Sequence, residues 1–153
     1  MIKKATHTTF TLAIIAILNF VLVAFISNNL GKEGVTEMGL IVLGISFIIM
    51  ISNIIGGSAL VYLIPRESNF SLLSISYLWA IVSTVIMGVI LYLFKLVPLE
   101  FVFWTIGIGF VECLFSTHNQ LLIGKKEIST HNFLKLFQKV LQVGLFFYLG
   151  ISM

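Results

Sequence analysis

The chain has 153 residues, 59% of them hydrophobic and 10% charged, with nine Lys and Arg against six acids and a net charge of +3. An ordinary soluble domain is about a quarter charged, so this much apolar surface needs lipid and excludes a water-soluble fold. The basic residues are scattered between apolar runs, which reads as membrane topology and excludes a phosphate-binding patch or a nucleic-acid partner.

Lys3 and Lys4 precede a first apolar run over about 8–27. The run is longer than a signal-peptide core and carries no small-residue cleavage site, so it predicts an uncleaved first span. Asn28 to Glu37, with Gly31, Lys32, Glu33 and Gly34, reads as a polar loop. A second span follows over about 39–63, broken by Pro65, Arg66, Glu67, Ser68 and Asn69. Proline stops a helix and charges avoid hydrocarbon, so that turn is well marked. The third span covers about 72–94 and closes at Lys95 to Glu100 with Pro98. The fourth covers about 101–123 and closes at Gly124, Lys125, Lys126 and Glu127. The fifth covers about 133–152. At about 20 apolar residues per span, the prediction is an all-α, polytopic bundle of about five spans in a single transmembrane domain over 1–153. β-Barrel strands would be short and alternating, and these runs are long and apolar on all faces.

Placing the N-terminus in the cytoplasm puts Lys3, Lys4, Arg66, Lys125, Lys126, Lys135 and Lys139 inside and Lys32 and Lys95 outside. Seven against two, out of nine, predicts an N-inside, multi-pass protein of the bacterial inner membrane.

Each span carries polarity at depth. At about 1.5 Å per residue, Asn19 lies about 16 Å into the first span and Asn53 about 15 Å from the cytoplasmic end of the second. On the same scale Glu112 lies about 16 Å into the fourth span and Gln142 about 14 Å into the fifth, with Ser83 and Thr84 at similar depth in the third. Such groups mark a substrate path or midplane site. Glu112 is the sharpest of them, because an ionised carboxylate at mid-membrane costs several kcal/mol unless paired or hydrated. It shares a face with Thr105, Ser116 and Asn119. It either hydrogen-bonds a neighbouring helix in its protonated form or lines a hydrated cavity. His131, Lys135, Lys139 and Gln142 recur every three or four residues and form a stripe on the fifth helix, with Gln138 alongside. Lys139 either snorkels to the head groups or forms a basic wall for an anionic group such as a lipid pyrophosphate. Ser52, Gly56 and Gly57 read as close helix packing or as a hinge.

His7, His118 and His131 lack ligand spacing, and no Gly-rich phosphate loop or nucleophile elbow is present. The lone Cys113 sits in an apolar run and has no intrachain disulfide partner. No cofactor, metal or enzyme chemistry is expected.

Three segments resemble a known family. Asn29-Leu30-Gly31-Lys32-Glu33-Gly34, followed by Gly39-Leu40, resembles the first outer loop of polysaccharide flippases, within the multidrug/oligosaccharidyl-lipid/polysaccharide exporter superfamily. The run from Gly56 to Arg66 is similar to the end of their second helix, and Asn119 to Lys125 to the end of their fourth. The glycine spacing from Gly31 to Gly39 is longer than the family's loop, and Asn28 or Asn29 stands where an arginine is common. The resemblance implies transport of a lipid-linked oligosaccharide for cell-surface polysaccharide or lipopolysaccharide assembly, with membrane lipid and lipid-linked sugar as partners. Family members have twelve or more spans in two halves, so it also implies an N-terminal part that works with a C-terminal half or a partner subunit. Under it, Asn19, Asn53, Glu112, Asn119 and Gln142 are cavity candidates, and Arg66, Lys135 and Lys139 are candidates for the anionic head group. The alternatives are a multidrug exporter of the same fold and a small membrane interaction protein or truncated remnant.

Overall fold

The computed structural model describes residues 2–64 and 69–152, without the side chains of 2–5, 7, 30, 58, 69–70 and 145–152. The described elements are all helical. They are α1 (Ile2–Gly56), α2 (Ser58–Leu63), α3 (Asn69–Leu93), a 3-10 turn (Leu99–Phe101), α4 (Val102–Gly124) and α5 (Ile128–Ser152). Four stretches are long and apolar enough to cross a membrane: Thr8–Asn29, Gly31–Leu63, Ser71–Leu93 and Leu99–Gly124. An all-α transmembrane bundle is what the composition requires. In hydrocarbon each backbone N–H and C=O must be satisfied within its own segment, and a helix does that. The expected fifth span falls on α5, whose 25 residues rise about 37 Å, more than the hydrocarbon thickness. The side chains of 145–152, which carry much of its apolar character, lie outside the described residues, as does the expected turn at Pro65 to Ser68.

Two expectations are corrected. The polar stretch Asn28 to Glu37 is not a ten-residue loop: helix continues up to Gly31, is broken there (φ 65°, ψ −162°), and resumes directly after it, so α1 is two helices joined at Gly31. Without a proline, polarity alone does not end a helix. Asn29 Nδ2 donates to Phe25 O at 2.8 Å and Thr36 Oγ1 to Lys32 O at 3.0 Å, so polar side chains bond along the helix. Gly31 supplies the one backbone conformation that side-chain-bearing residues resist. The second span, in turn, is not one helix. It stops at Gly56 and restarts at Ser58, with Gly57 (φ −94°, ψ −119°) between.

The chain forms two compact units. One is Glu37–Lys126, the other Met1–Thr36 with Glu127–Met153. In Glu37–Lys126, the second half of α1 packs against α4 in a fixed register. A Cβ on Gly44 would lie 3.0 Å from Thr105 Cγ2, and one on Gly109 would lie 2.6 Å from Ile48 Cδ1. The Cys113 thiol has the Ser52 hydroxyl in hydrogen-bonding reach, and a Cβ on Gly56 would lie 3.2 Å from Thr117 Oγ1. Gly44, Ile48, Ser52 and Gly56 therefore meet Thr105, Gly109, Cys113 and Thr117, at steps of four on both helices. Residue numbers rise together along the pair, so the helices run parallel. Steps of four put small residues in one ridge and let the backbones approach closely. Close approach matters because lipid is as apolar as leucine, so van der Waals packing, not hydrophobic burial, holds membrane helices together.

The third member, α3, crosses the same seam in the opposite direction. Leu91 lies by Gly44 and Ser76 by Gly56, while Thr84 reaches Cys113. Ile48, Ala80, Met87, Leu91, Val97, Val102 and Cys113 make one buried cluster. Leu60, Ile64 and Leu121 make a separate one beyond the break. Phe103, Trp104 and Tyr92 are exposed at one end of these helices and Tyr62 at the other, as interface aromatics are in membranes. In the other unit, α5 and the start of α1 are joined by Asn132 Nδ2, which donates to Thr8 Oγ1 at 3.0 Å.

Candidate functional site

Five buried hydroxyls of Glu37–Lys126 bond back within their own helices. Ser76 donates to Leu72 O, Ser83 and Thr84 to Ala80 O, Thr105 to Phe101 O and Thr117 to Cys113 O, at 2.7–3.1 Å. A serine or threonine whose hydroxyl bonds back three or four residues packs as a small apolar residue would. The mid-depth polarity of the third span, Ser83 and Thr84, is therefore a packing device.

What remains polar after that subtraction lies on α4 and its neighbour. Ser116 Oγ donates to Asn53 Oδ1 at 3.0 Å, a side-chain bond from α4 to α1. Glu112, one turn before Ser116, is half-buried. Asn119, one turn after, is 6% exposed, and its Oδ1 is buried without a hydrogen-bond partner among the described residues. Glu112, Ser116 and Asn119 are spaced to share one helix face. An orphaned buried acceptor costs about 1–3 kcal/mol, so Asn119 is a place where a donor from outside the chain would be welcome. Thr105, expected on the Glu112 face, instead packs against Gly44.

The second polar group is the α5 stripe. Lys139 Nζ donates to Gln142 Oε1 at 2.8 Å, and both are half-buried. The ammonium therefore turns toward the residue one turn deeper along the expected span, away from the head groups. Lys135 is half-buried one turn earlier and His131 is buried. On the exposed side of this helix the rings of Phe133 and Phe137 stack, with centroids 6.2 Å apart.

No family model, no curated protein and no solved structure matches the chain. The site is argued from its own residues. Among the predicted ones, the structure connects Asn53 to the Glu112 face through Ser116, and Lys139 to Gln142. Asn19 is exposed on the first helix, and Arg66 lies outside the described residues. Among the described residues no three His, Cys, Asp or Glu side chains gather where a metal ion could be held. Sequence reasoning missed the Thr8–Asn132 bond, because nothing in one dimension pairs residues 124 positions apart. The steps of four from Thr105 to Thr117 were legible and would have located the α1–α4 seam.

Proposed function

We propose that the chain is part of a flippase carrying a lipid-linked oligosaccharide or polysaccharide precursor across the bacterial inner membrane. The observation that carries this reading is the state of the ionisable groups within apolar helices. Glu112 is half-buried beside the Asn53–Ser116 bond, and Lys139 is held by Gln142 along the expected span. Charge kept at depth is expensive, and transport paths are its usual use. The three family-like segments support the same reading and name the substrate class. They also imply further spans, in the same product or in a partner subunit, rocking against these to give alternating access.

Under this reading the N-terminus is cytoplasmic. Lys135, Lys139 and Arg66 draw the anionic lipid head toward the membrane. Asn53, Glu112 and Asn119 supply polar surface within Glu37–Lys126, and Asn19 and Gln142 are polar groups on the first and fifth helices. The test is surface polysaccharide in cells carrying Glu112→Ala with Lys139→Ala, backed by a flipping assay on reconstituted protein. Loss of surface polymer at unchanged protein level is expected. Normal polymer and normal flipping in the double variant would sink the site assignment.

A further inference from the structure

We infer that Gly57 is a hinge in the second membrane-spanning stretch, and that the Asn53–Ser116 hydrogen bond latches it. The inference concerns a moving part and does not depend on which solute crosses.

The break is built in. Gly57 N–H still donates to Asn53 O at 3.0 Å, closing the last turn of α1. The chain then leaves helical geometry, and a new helix restarts from Gly57 O, which accepts from Leu60 N at 3.1 Å and Val61 N at 3.4 Å. A Cβ at position 57 would run into the Asn53 carbonyl oxygen. Only glycine permits this path, so the kink belongs to the sequence and is not a distortion imposed by packing. Kinks at glycine are among the recognised points where a long helix bends.

The two sides of the break pack into different clusters of one unit. Before it, Ile48 sits in the cluster with Ala80, Met87, Leu91 and Cys113, and Trp79 Nε1 donates to Ile51 O at 3.1 Å. That bond pins α1 to α3 six residues before the hinge. After it, Leu60 and Ile64 pack on Leu121, and Ile64 sits so close to Gly124 that a Cβ there would lie 3.0 Å from Ile64 Cδ1. Close before the break a side-chain bond runs from α4 to α1, Ser116 to Asn53. Asn53 is therefore placed at both parts of the device. Its carbonyl oxygen is the atom that forbids a Cβ at 57, and its amide oxygen is the latch acceptor.

Rocking of this kind is how packed elements move. Rigid pieces stay intact while a few residues at an element boundary absorb the change. Here α2, Ser58–Leu63 with Ile64, is the piece that swings and Gly57 absorbs the motion.

The test uses the full chain in lipid nanodiscs, with Cys113→Ser so that introduced cysteines alone are spin-labelled. One pair, Tyr62→Cys with Tyr92→Cys, reports across the break. A control pair, Ile54→Cys with Tyr92→Cys, reports before it; all three positions are exposed. Asn53→Ala and Ser116→Ala each remove the latch without touching the backbone at 57. Either is expected to broaden or shift the Tyr62–Tyr92 distance, raising the minor population about threefold, and to leave Ile54–Tyr92 fixed. Gly57→Ala is expected to collapse the Tyr62–Tyr92 distribution to one distance. If neither latch variant moves the Tyr62–Tyr92 distance, or if both pairs move together, there is no hinge at Gly57. Should Gly57→Ala fail to insert, the two latch variants still decide the matter.

Discussion

The two units handle polarity in opposite ways. In Glu37–Lys126 the buried hydroxyls of Ser76, Ser83, Thr84, Thr105 and Thr117 return to carbonyls of their own helix. In the other unit two polar pairs that are buried or half-buried meet side chain to side chain, Asn132 with Thr8 and Lys139 with Gln142, while the exposed Asn29 and Thr36 bond back along their own helix. The difference separates packing from recognition. A hydroxyl bonded to its own helix has nothing to exchange, whereas a side-chain pair can swap partners with a ligand at small cost. Asn53–Ser116 is a side-chain pair within Glu37–Lys126, and it stands beside the break in that unit.

The largest effect expected from this comparison lies in the packed seam. Gly109→Leu drives a side chain into Ile48, and overpacking a close-fitted core costs about 1–3 kcal/mol. Gly107, two residues away on the same helix, has nothing within 4 Å of a Cβ. Gly107→Leu should therefore meet no clash and gain up to about 1 kcal/mol of helix propensity. Thermal unfolding of both variants in detergent checks the contrast, and equal melting temperatures would refute the seam.

How much of this was legible follows from the same residues. The helical class and the positions of the spans follow from apolar runs, because hydrocarbon admits few structures and those have fixed lengths. The α1–α4 seam was half-legible. The small residues at steps of four are visible, yet Gly107 and Gly109 look alike until one is seen to face Ile48. The break between the first two spans was legible but its width was misread, since composition marks where lipid ends and not where a helix ends, and helix flanks Gly31 on both sides. The break at Gly57 was visible only as a choice between packing and hinge. Gly56 does the first and Gly57 the second, and the choice turns on backbone angles that no pattern of residue types records. In the candidate site the polar residues were legible by depth, but the pairings were not. Ser116 bonds Asn53 and Lys139 bonds Gln142, pairings that depth alone does not give.

A second contrast tests the division between packing and paired polarity. Gln142→Leu leaves the half-buried Lys139 ammonium without its Gln142 oxygen, and hydrogen bonds between side chains in membranes reach about 1.7 kcal/mol at most. Asn132→Leu removes the bond to Thr8, for which the average of about 0.6 kcal/mol applies. Thr84→Val removes a hydroxyl whose acceptor, Ala80 O, also belongs to the helix ladder, and should cost less than about 0.5 kcal/mol. Denaturation in mixed micelles gives all three values. A Thr84→Val cost above that of Gln142→Leu would remove the distinction.

The smallest effect is a matter of sign, at two helix ends. Lys95 (φ 50°) and Lys126 (φ 61°) both hold the left-handed conformation just past α3 and α4. After α3, Leu96 N–H donates to Leu91 O at 3.1 Å, the six-residue closure that caps a helix. Glycine is the usual residue in that place, and a side chain there costs about 1 kcal/mol. Lysine repays part of it, since a cation at a helix C-terminus contributes about 0.3–1 kcal/mol. Lys95→Ala keeps the backbone cost and loses the charge, whereas Lys95→Gly loses the charge and removes the backbone cost. Glycine should therefore be the more stable by about 0.5–1 kcal/mol. Inside a helix the order reverses, and Gly107→Ala should stabilise by up to about 1 kcal/mol. Alanine equal to or better than glycine at both lysine positions would mean that these helix ends are not closed in the left-handed conformation.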